Sequence, residues 1–202
     1  MCGVVGFSCP SPTQEHYDIL WRVMLESSIR GLHSFGIAYV DSGLIVEKAF
    51  RLTDLTLPKS QKLIFHNRYA TSGDYENHVN NQPLTDGQKA LVFNGVLDMR
   101  TKEEMEEAYG IKMKADNDGE ILLRTFEDPR EMMEYVNRSN VTFAGLVLTP
   151  ENRVFAFRNY GRPLWTANWE GATYYASTCD ILLRADERLT PEEIEPNVLY
   201  ES

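Results

Sequence analysis

The chain has 202 residues, of which 43% are hydrophobic and 25% are charged, and its 30 acidic and 20 basic side chains leave a net charge of −10. This length and composition are typical of one globular domain with a sizeable core. The acidic balance argues against nucleic acid or an anionic membrane surface as the main partner.

Segments for membrane insertion or secretion are missing from the sequence. No run reaches the ~18 uninterrupted apolar residues of a membrane span, and no basic leader followed by an apolar run opens the chain. Cys2, Cys9 and Cys179 form no CxxC pair and are too few for a disulfide framework. We therefore expect a reduced, cytoplasmic protein that does not associate with membranes.

The first half of the chain predicts strands around one long helix. The apolar run from Gly3 to Phe7 is typical of a buried strand. Thr13 is placed as an N-cap before residues 14–28, whose apolar side chains recur at three- and four-residue spacing, as in an amphipathic helix. Further strands are predicted at residues 35–40 and 44–50, joined by a hairpin loop, and at 62–69 and 90–93. A long polar loop at residues 71–82 precedes the last of these.

The second half predicts helices first and strands afterwards. The helices are expected at residues 101–109, from 117 or 118 to 126, and at 129–136. Strands follow at residues 142–148, 153–158, 164–168 and 173–176, with a brief helix at 180–184 and a last strand near Val198. Two blocks of strands with helices between them are typical of an α+β layered fold. With no repeat or linker visible, the sequence predicts a single domain over residues 1–202.

Cys2 directly follows the initiator methionine, which is commonly removed when a small residue comes next. Removal of Met1 would place a thiol and a free α-amine on one residue. Nucleophile and general base would then share one Cα, without a separate histidine. Taken alone, Cys2 is more simply a small buried hydrophobe at the start of a strand. The rest of the sequence decides between these interpretations.

Several short motifs accompany this cysteine. They are Arg30-Gly31, His66-Asn67-Arg68-Tyr69-Ala70-Thr71-Ser72-Gly73, Asn80 with Pro83, Phe93-Asn94-Gly95 and Asp116-Asn117-Asp118-Gly119-Glu120. Each is weak by itself, since Asn-Gly is also the commonest hairpin turn. Together, and in this order, they resemble the class II glutamine amidotransferases along essentially the whole chain. These are the N-terminal-nucleophile glutaminase domains of enzymes such as amidophosphoribosyltransferase and glucosamine-6-phosphate synthase.

The resemblance implies both a fold and a reaction. The fold is a four-layer α/β/β/α sandwich with two mainly antiparallel sheets face to face. Cys2 would attack the side-chain amide of L-glutamine to form a thioester, and its α-amine would pass a proton to the departing ammonia. Asn94, through its side-chain amide, and Gly95, through its backbone N–H, would stabilise the tetrahedral oxyanion.

The resemblance also implies how the substrate is held. Arg68 would grip the α-carboxylate of glutamine in bidentate fashion, Asp118 would pair with the α-ammonium, and Thr71 would line the same pocket. Residues 69–80, starting at Tyr69, would fold over bound glutamine and exclude water. Arg30 would help to position the terminus.

Simpler interpretations of these residues stay open. Arg68 and Asp118, taken singly, also suit surface charges, and His66 suits a hydrogen-bonded strand histidine. The remaining histidines lack the spacing of metal ligands. No cofactor and no metal site are predicted.

The sequence departs from the usual pattern of this class at several places. His33 stands where an aspartate before the serine is common, and Phe35 is bulkier than the small residue usual there. Asn67 occupies a position typical of threonine or valine, and Phe93 one at which histidine is frequent. These departures remove no proposed catalytic group, and they indicate an unusual branch of the class.

Our leading hypothesis is a glutaminase that supplies ammonia to an acceptor on a separate synthase partner. The sequence contains no phosphate-binding GxxxxGK[ST] loop and no further segment for an acceptor. One alternative is a stand-alone γ-glutamyl amidohydrolase with the same nucleophile. Another is a non-catalytic scaffold subunit that retains the fold.

Overall fold

The structure is a computed structural model that describes residues 1–70 and 74–202. The strands in these residues are β1 (Gly3–Ser8), β2 (Ser34–Val40), β3 (Leu44–Ala49), β4 (Lys62–Arg68), β5 (Leu84–Thr85), β6 (Ala90–Val96), β7 (Thr142–Leu148), β8 (Val154–Arg158), β9 (Trp165–Trp169), β10 (Ala172–Ala176), β11 (Glu192–Glu193) and β12 (Tyr200–Glu201). The α-helices are α1 (Gln14–Ser27), α2 (Lys102–Tyr109), α3 (Glu120–Thr125), α4 (Pro129–Arg138) and α5 (Cys179–Ala185).

The strands form two antiparallel sheets. The first runs in the order β11-β9-β10-β1-β4-β2-β3, and the second in the order β12-β8-β7-β6-β5. Strand β1 pairs with β10 on one side and with β4 on the other. Strand β6 pairs with β7 along its whole length, but with the short β5 only through Leu84 and Thr85. The end of β6 beyond residue 91 is therefore open on the β5 side.

Three apolar layers hold the sheets and helices together. The inner layer lies between the sheets and contains, among others, Val4, Ile64, Val92 and Leu146. The outer face of the first sheet packs on α1 and α5, through residues such as Phe7, Leu20 and Leu182. The outer face of the second sheet packs on α3 and α4, through residues such as Leu91, Leu122 and Met132. The predicted four-layer α/β/β/α sandwich is confirmed.

Helix α1 begins where the sequence predicts because Thr13 closes its first turn. The Thr13 backbone N–H donates to His16 Nδ1 at 2.9 Å, which satisfies a donor that the helix leaves without an internal partner. Leu20, Val23 and Met24 are fully buried against the first sheet, and each contributes about 1.5–3 kcal/mol by leaving water. Among the described residues, no helix is both long enough and apolar enough to cross a membrane.

Some element boundaries differ from the prediction. Strand β6 does not end at Phe93: it continues through Asn94 and Gly95, which pair with Ala144 and Phe143 of β7. Cross-strand pairing thus overrides the local turn preference of Asn-Gly. The short strands β5 and β11 were not predicted, and the last strand lies just after Val198. A 3₁₀ turn over residues 78–80 shortens the predicted loop.

Candidate active site

The alternation of side chains along the strands brings several polar groups to one end of the inner apolar layer. Val4, Ile64 and Val92 face this layer in β1, β4 and β6. Side chains two or four residues before or after these positions share the same face. These are Cys2, His66, Arg68 and Asn94.

A cavity of about 420 Å³ opens at this end of the sandwich. Its lining includes the predicted site residues Cys2, Arg68, Tyr69, Gly95 and Asp118. Arg30 and Asn94 lie beside the cavity, outside its lining residues. Thr71, predicted to line the pocket, lies outside the described residues.

The Cys2 thiol lies against the backbone of Tyr69, with Sγ at 3.8 Å from the Tyr69 carbonyl oxygen. Burial raises the pKa of this thiol, while the hydrogen bond to Tyr69 and the surrounding positive charges act in the opposite direction. Arg30 Nε donates to the Cys2 carbonyl oxygen at 2.8 Å, which anchors the residue at the start of β1. Met1 precedes Cys2 in this structure, so the α-amine belongs to Met1.

Arg68 is buried at the end of β4. Its Nη1 atom donates to Asn81 Oδ1 at 2.6 Å and to the Asn80 carbonyl oxygen at 3.2 Å. Burial lowers the pKa of the guanidinium, but an arginine starts so high that it stays charged at neutral pH. The lining of the cavity therefore carries a positive charge, and the two asparagines help to orient the guanidinium group that bears it.

Asp118 contributes a carboxyl group to the lining of the same cavity. Its Oδ2 atom accepts hydrogen bonds from the backbone N–H groups of Leu97 and Asp98, at 2.6 and 3.1 Å. Burial raises the pKa of this carboxyl group, and the two backbone donors oppose the rise. These bonds hold the segment before α3 against the loop after β6.

Asn80 connects Arg68 to the segment that contains Asp118. Its side-chain Oδ1 accepts from the Asp116 backbone N–H at 2.8 Å, and its carbonyl oxygen accepts from Asn117 Nδ2 at 3.2 Å. The same carbonyl oxygen accepts from Arg68. Because Asn80 is itself buried, it fixes the spacing between the Arg68 side and the Asp118 side of the cavity.

Gly95 lies at the open side of β6. The Phe93 backbone N–H donates to Gln82 Oε1 at 2.6 Å, so Phe93 does not form a hydrogen-bonded pair with β7. Backbone groups alternate in direction along an antiparallel strand. The Gly95 N–H therefore points away from β7 as well, to the side on which Gln82 lines the cavity.

Asn94 is buried, at 6% exposure, between the two sheets. Its Nδ2 group has no hydrogen-bond partner among residues 1–70 and 74–202. Buried donors are nearly always paired, and leaving one unpaired costs about 1–3 kcal/mol. Within the described residues, this buried donor one residue from Gly95 is therefore unsatisfied.

His66 was not predicted to take part in the site, yet it lines the cavity next to Arg68. Burial, with the nearby charges of Arg68 and Lys48, lowers its pKa to about 3, against a smaller effect of the Phe93 backbone. The ring is therefore neutral at pH 7. Among the described residues neither ring nitrogen has a hydrogen-bond partner of normal geometry. The position of His66 two residues before Arg68, on the same strand face, was the signal for it in the sequence.

Asn67, one of the departures from the usual pattern, has a structural role. Its side chain is fully buried, accepts from Ser27 Oγ at 2.6 Å, and donates to the carbonyl oxygens of Ser27 and Gly31 at 2.9 and 3.0 Å. It ties β4 to the chain that leaves α1. Within the described part of the chain, no group of His, Cys, Asp and Glu side chains could hold a metal ion.

This sandwich, with a cysteine just before a central strand and a cavity lined by charged side chains, is the arrangement that the resemblance to class II glutamine amidotransferases implies. Glutamine–fructose-6-phosphate aminotransferase (isomerizing) from Pyrobaculum aerophilum is 27% identical over 210 residues, which cover 94% of this chain and 35% of that protein. No family model matches the sequence.

Two solved structures have the same fold. Glutamine phosphoribosylpyrophosphate amidotransferase from B. subtilis, complexed with ADP and GMP, superposes with a TM-score of 0.75 at 21% identity, over 100% of this chain and 49% of that chain. A structure of the allosteric regulatory enzyme of purine biosynthesis superposes with a TM-score of 0.74 at 24% identity, over 96% of this chain and 45% of that chain. The chain is thus similar to less than half of each of these proteins. The predicted resemblance to the class II glutamine amidotransferases, which are enzymes that hydrolyse an amide, is confirmed.

Proposed function

We propose that this protein hydrolyses the side-chain amide of L-glutamine at Cys2 and supplies the ammonia to an acceptor on a synthase partner. The observation that carries this proposal is one cavity lined by Cys2, Arg68 and Asp118 together. A free amino acid carries one carboxylate and one ammonium group, which match the charges of Arg68 and Asp118. Its side-chain amide would then lie at the thiol.

The reaction uses the α-amine that becomes available when Met1 is removed. This amine takes the Cys2 thiol proton, and Sγ attacks the amide carbon, which places a negative charge on the carbonyl oxygen. When the tetrahedral intermediate collapses, the amide nitrogen receives the proton and leaves as ammonia, and a thioester remains. Water hydrolyses the thioester to glutamate and restores the thiol.

Asn94 Nδ2 and the Gly95 N–H would donate to the oxyanion. A donor that serves an oxygen formed only during the reaction has no acceptor in the resting protein. Asn94 Nδ2, which has no partner within residues 1–70 and 74–202, supports this assignment, as does the direction of the Gly95 N–H. Arg30, which contacts the carbonyl oxygen of Cys2, suits a role in holding the nucleophile.

The name of the relative supports the acceptor and the partner. The Pyrobaculum aerophilum protein, of which this chain matches 35%, is an aminotransferase that acts on glutamine and fructose-6-phosphate. By analogy, residues 1–202 act as one glutaminase domain in the cytoplasm, and the acceptor is bound by a separate synthase partner. Tyr69 and Thr71 would belong to the segment that closes over glutamine.

The test is the intact mass of the purified protein before and after 6-diazo-5-oxo-norleucine, an electrophilic glutamine analogue. We expect a mass without Met1 and one adduct on Cys2, which Cys2→Ala abolishes and Cys179→Ala leaves unchanged. Retained Met1 and no adduct would contradict the proposal and favour the scaffold alternative. Rapid turnover of γ-glutamyl amides by the protein alone would favour the stand-alone amidohydrolase.

A further inference from the structure

We propose that His33 is a positioning residue that holds the Tyr69 peptide group in the orientation that places its carbonyl oxygen at the Cys2 thiol. His33 lies in the turn between α1 and β2, outside the cavity lining. The effect of His33 on catalysis rests on the function proposed above, whereas its hydrogen bond to the Ala70 N–H can be tested independently.

Two hydrogen bonds of His33 flank Tyr69. The His33 backbone N–H donates to the Arg68 carbonyl oxygen at 3.0 Å. The imidazole Nδ1 accepts from the Ala70 backbone N–H at 2.8 Å. The backbone on both sides of Tyr69 is thus held by one residue from another part of the chain.

The second of these bonds acts on the peptide group that touches the nucleophile. The Ala70 N–H and the Tyr69 carbonyl group belong to the same planar trans peptide, in which N–H and C=O point in opposite directions. His33 Nδ1 binds one edge of that plane, and Cys2 Sγ lies 3.8 Å from the oxygen on the other edge. Rotation of this peptide would break both contacts together.

Aromatic contacts hold the imidazole in place. The His33 ring stacks on Tyr69, with ring centroids 5.3 Å apart and an interplanar angle of 23°, and on Tyr75, at 4.8 Å and 21°. Two near-parallel contacts restrict rotation of the ring, so that Nδ1 stays directed at the Ala70 N–H. In this state Nδ1 is an acceptor, and the proton of the neutral ring is on Nε2.

The loss of this bond is expected to disorganise the nucleophile. The thiol would lose the acceptor that restricts rotation about the Cys2 Cα–Cβ bond, and Sγ would spend less time in the orientation for attack. The bond from the Ala70 N–H to His33 Nδ1 is one ordinary hydrogen bond, and its loss corresponds to a change of about tenfold in the rate of attack by Sγ.

The experiment uses two substitutions to separate the contribution of the His33 Nδ1 acceptor from that of the stacked His33 ring. His33→Asn keeps an acceptor atom near the position of Nδ1 but removes the stacked ring, while His33→Phe keeps the ring and removes the acceptor. His16→Phe is the matched control. His16 Nδ1 also accepts a backbone N–H, from Thr13 at 2.9 Å, and its ring packs on Trp169 at 5.1 Å. It lies in the first turn of α1, outside the lining of the cavity.

Two readouts are measured for each protein after the mass has shown that Met1 is absent. The first is the exchange rate of the Ala70 amide proton, followed by NMR on protein labelled with ¹⁵N-alanine. The second is the rate of Cys2 labelling by 6-diazo-5-oxo-norleucine. Alkylation of Cys179 by iodoacetamide in the same samples is the internal reference for intact folding.

We expect His33→Phe to accelerate Ala70 exchange and to slow Cys2 labelling, each by about tenfold. His33→Asn should restore both rates to within about threefold of the wild type, and His16→Phe should change neither. Equal rates in His33→Phe and the wild type would overturn the proposal, as would His33→Asn behaving like His33→Phe. If the wild type itself is not labelled, the glutaminase function fails, and Ala70 exchange still decides the role of His33.

Discussion

Gly95 lies directly against the backbone of Thr142: a Cβ atom at position 95 would approach the Thr142 carbonyl oxygen to 2.1 Å. A backbone atom in a central strand pair cannot move aside as a side chain does. Gly95→Ala must therefore push β6 away from β7 at the residue proposed to donate to the oxyanion. We expect it to lower stability by about 1–3 kcal/mol and to abolish labelling of Cys2 by the glutamine analogue.

Gly6→Ala is the matched control for that substitution. A Cβ at position 6 would also come close to its neighbour, at 2.5 Å, but that neighbour is Cδ1 of Leu146, the end of a flexible side chain. We expect Gly6→Ala to lower the urea midpoint of unfolding yet to leave labelling of Cys2 largely intact. Equal labelling in the two variants would show that the close approach of Gly95 has no bearing on the site.

Asn94 and Asn67 are two buried asparagines with opposite hydrogen-bonding states. Asn94 Nδ2 has no partner in the described part of the chain, whereas the Asn67 side chain makes three hydrogen bonds. We expect Asn94→Ala to reduce the kcat of glutamine hydrolysis about 10²–10³-fold with a melting temperature at or above that of the wild type. Asn67→Ala should lower stability by about 2–4 kcal/mol.

Glutaminase assays and thermal unfolding of both asparagine variants check this prediction. A large loss of stability in Asn94→Ala would mean that its side chain is needed for the fold. In that case the Nδ2 donor, although it has no partner in the described part of the chain, would no longer support the oxyanion assignment.

Arg68→Lys tests recognition of the α-carboxylate. Lysine keeps the positive charge but loses the planar fork that binds a carboxylate through two parallel bonds. We expect KM for glutamine to rise about 10–100-fold with a smaller change in kcat, measured by steady-state glutaminase kinetics. Arg22→Lys is the control, since Arg22 binds Asp186 and the Ala185 carbonyl oxygen outside the cavity. An unchanged KM in Arg68→Lys would exclude this role.

His66 makes stability depend on pH. Its pKa is lowered to about 3 in the folded protein from 6.5, so between these values only the unfolded chain binds the proton. Stability must therefore fall as the pH falls through this window. We expect the free energy of unfolding to drop between pH 6.5 and 5 by about 2 kcal/mol more in the wild type than in His66→Gln. Urea unfolding at several pH values measures the difference, and parallel curves would contradict the assignment.

Local sequence signals were sufficient for most elements of the fold. The N-cap at Thr13, the spacing of apolar residues in α1 and the hairpin at residues 41–43 depend on neighbours in the chain, and the structure confirms them. Strand β6 shows where such signals end. Asn94-Gly95 has the composition of a turn, but in the structure it pairs with β7. This pairing joins segments that are distant in the sequence, so a short stretch of sequence cannot reveal it.

The sequence by itself was sufficient for the resemblance to class II glutamine amidotransferases, since the cysteine at position 2 and the ordered motifs after it require only residue types and their order. The tertiary structure decided which of these residues meet in one cavity, and it added His66 to the lining and His33 behind Tyr69. The reason is physical. Asn94 Nδ2, which has no partner among the described residues, is buried between the two sheets. Pairing of β6 with β7 sets Gly95 against Thr142, and pairing of β2 with β4 sets His33 beside the peptide at Tyr69. All of these segments are distant in the sequence.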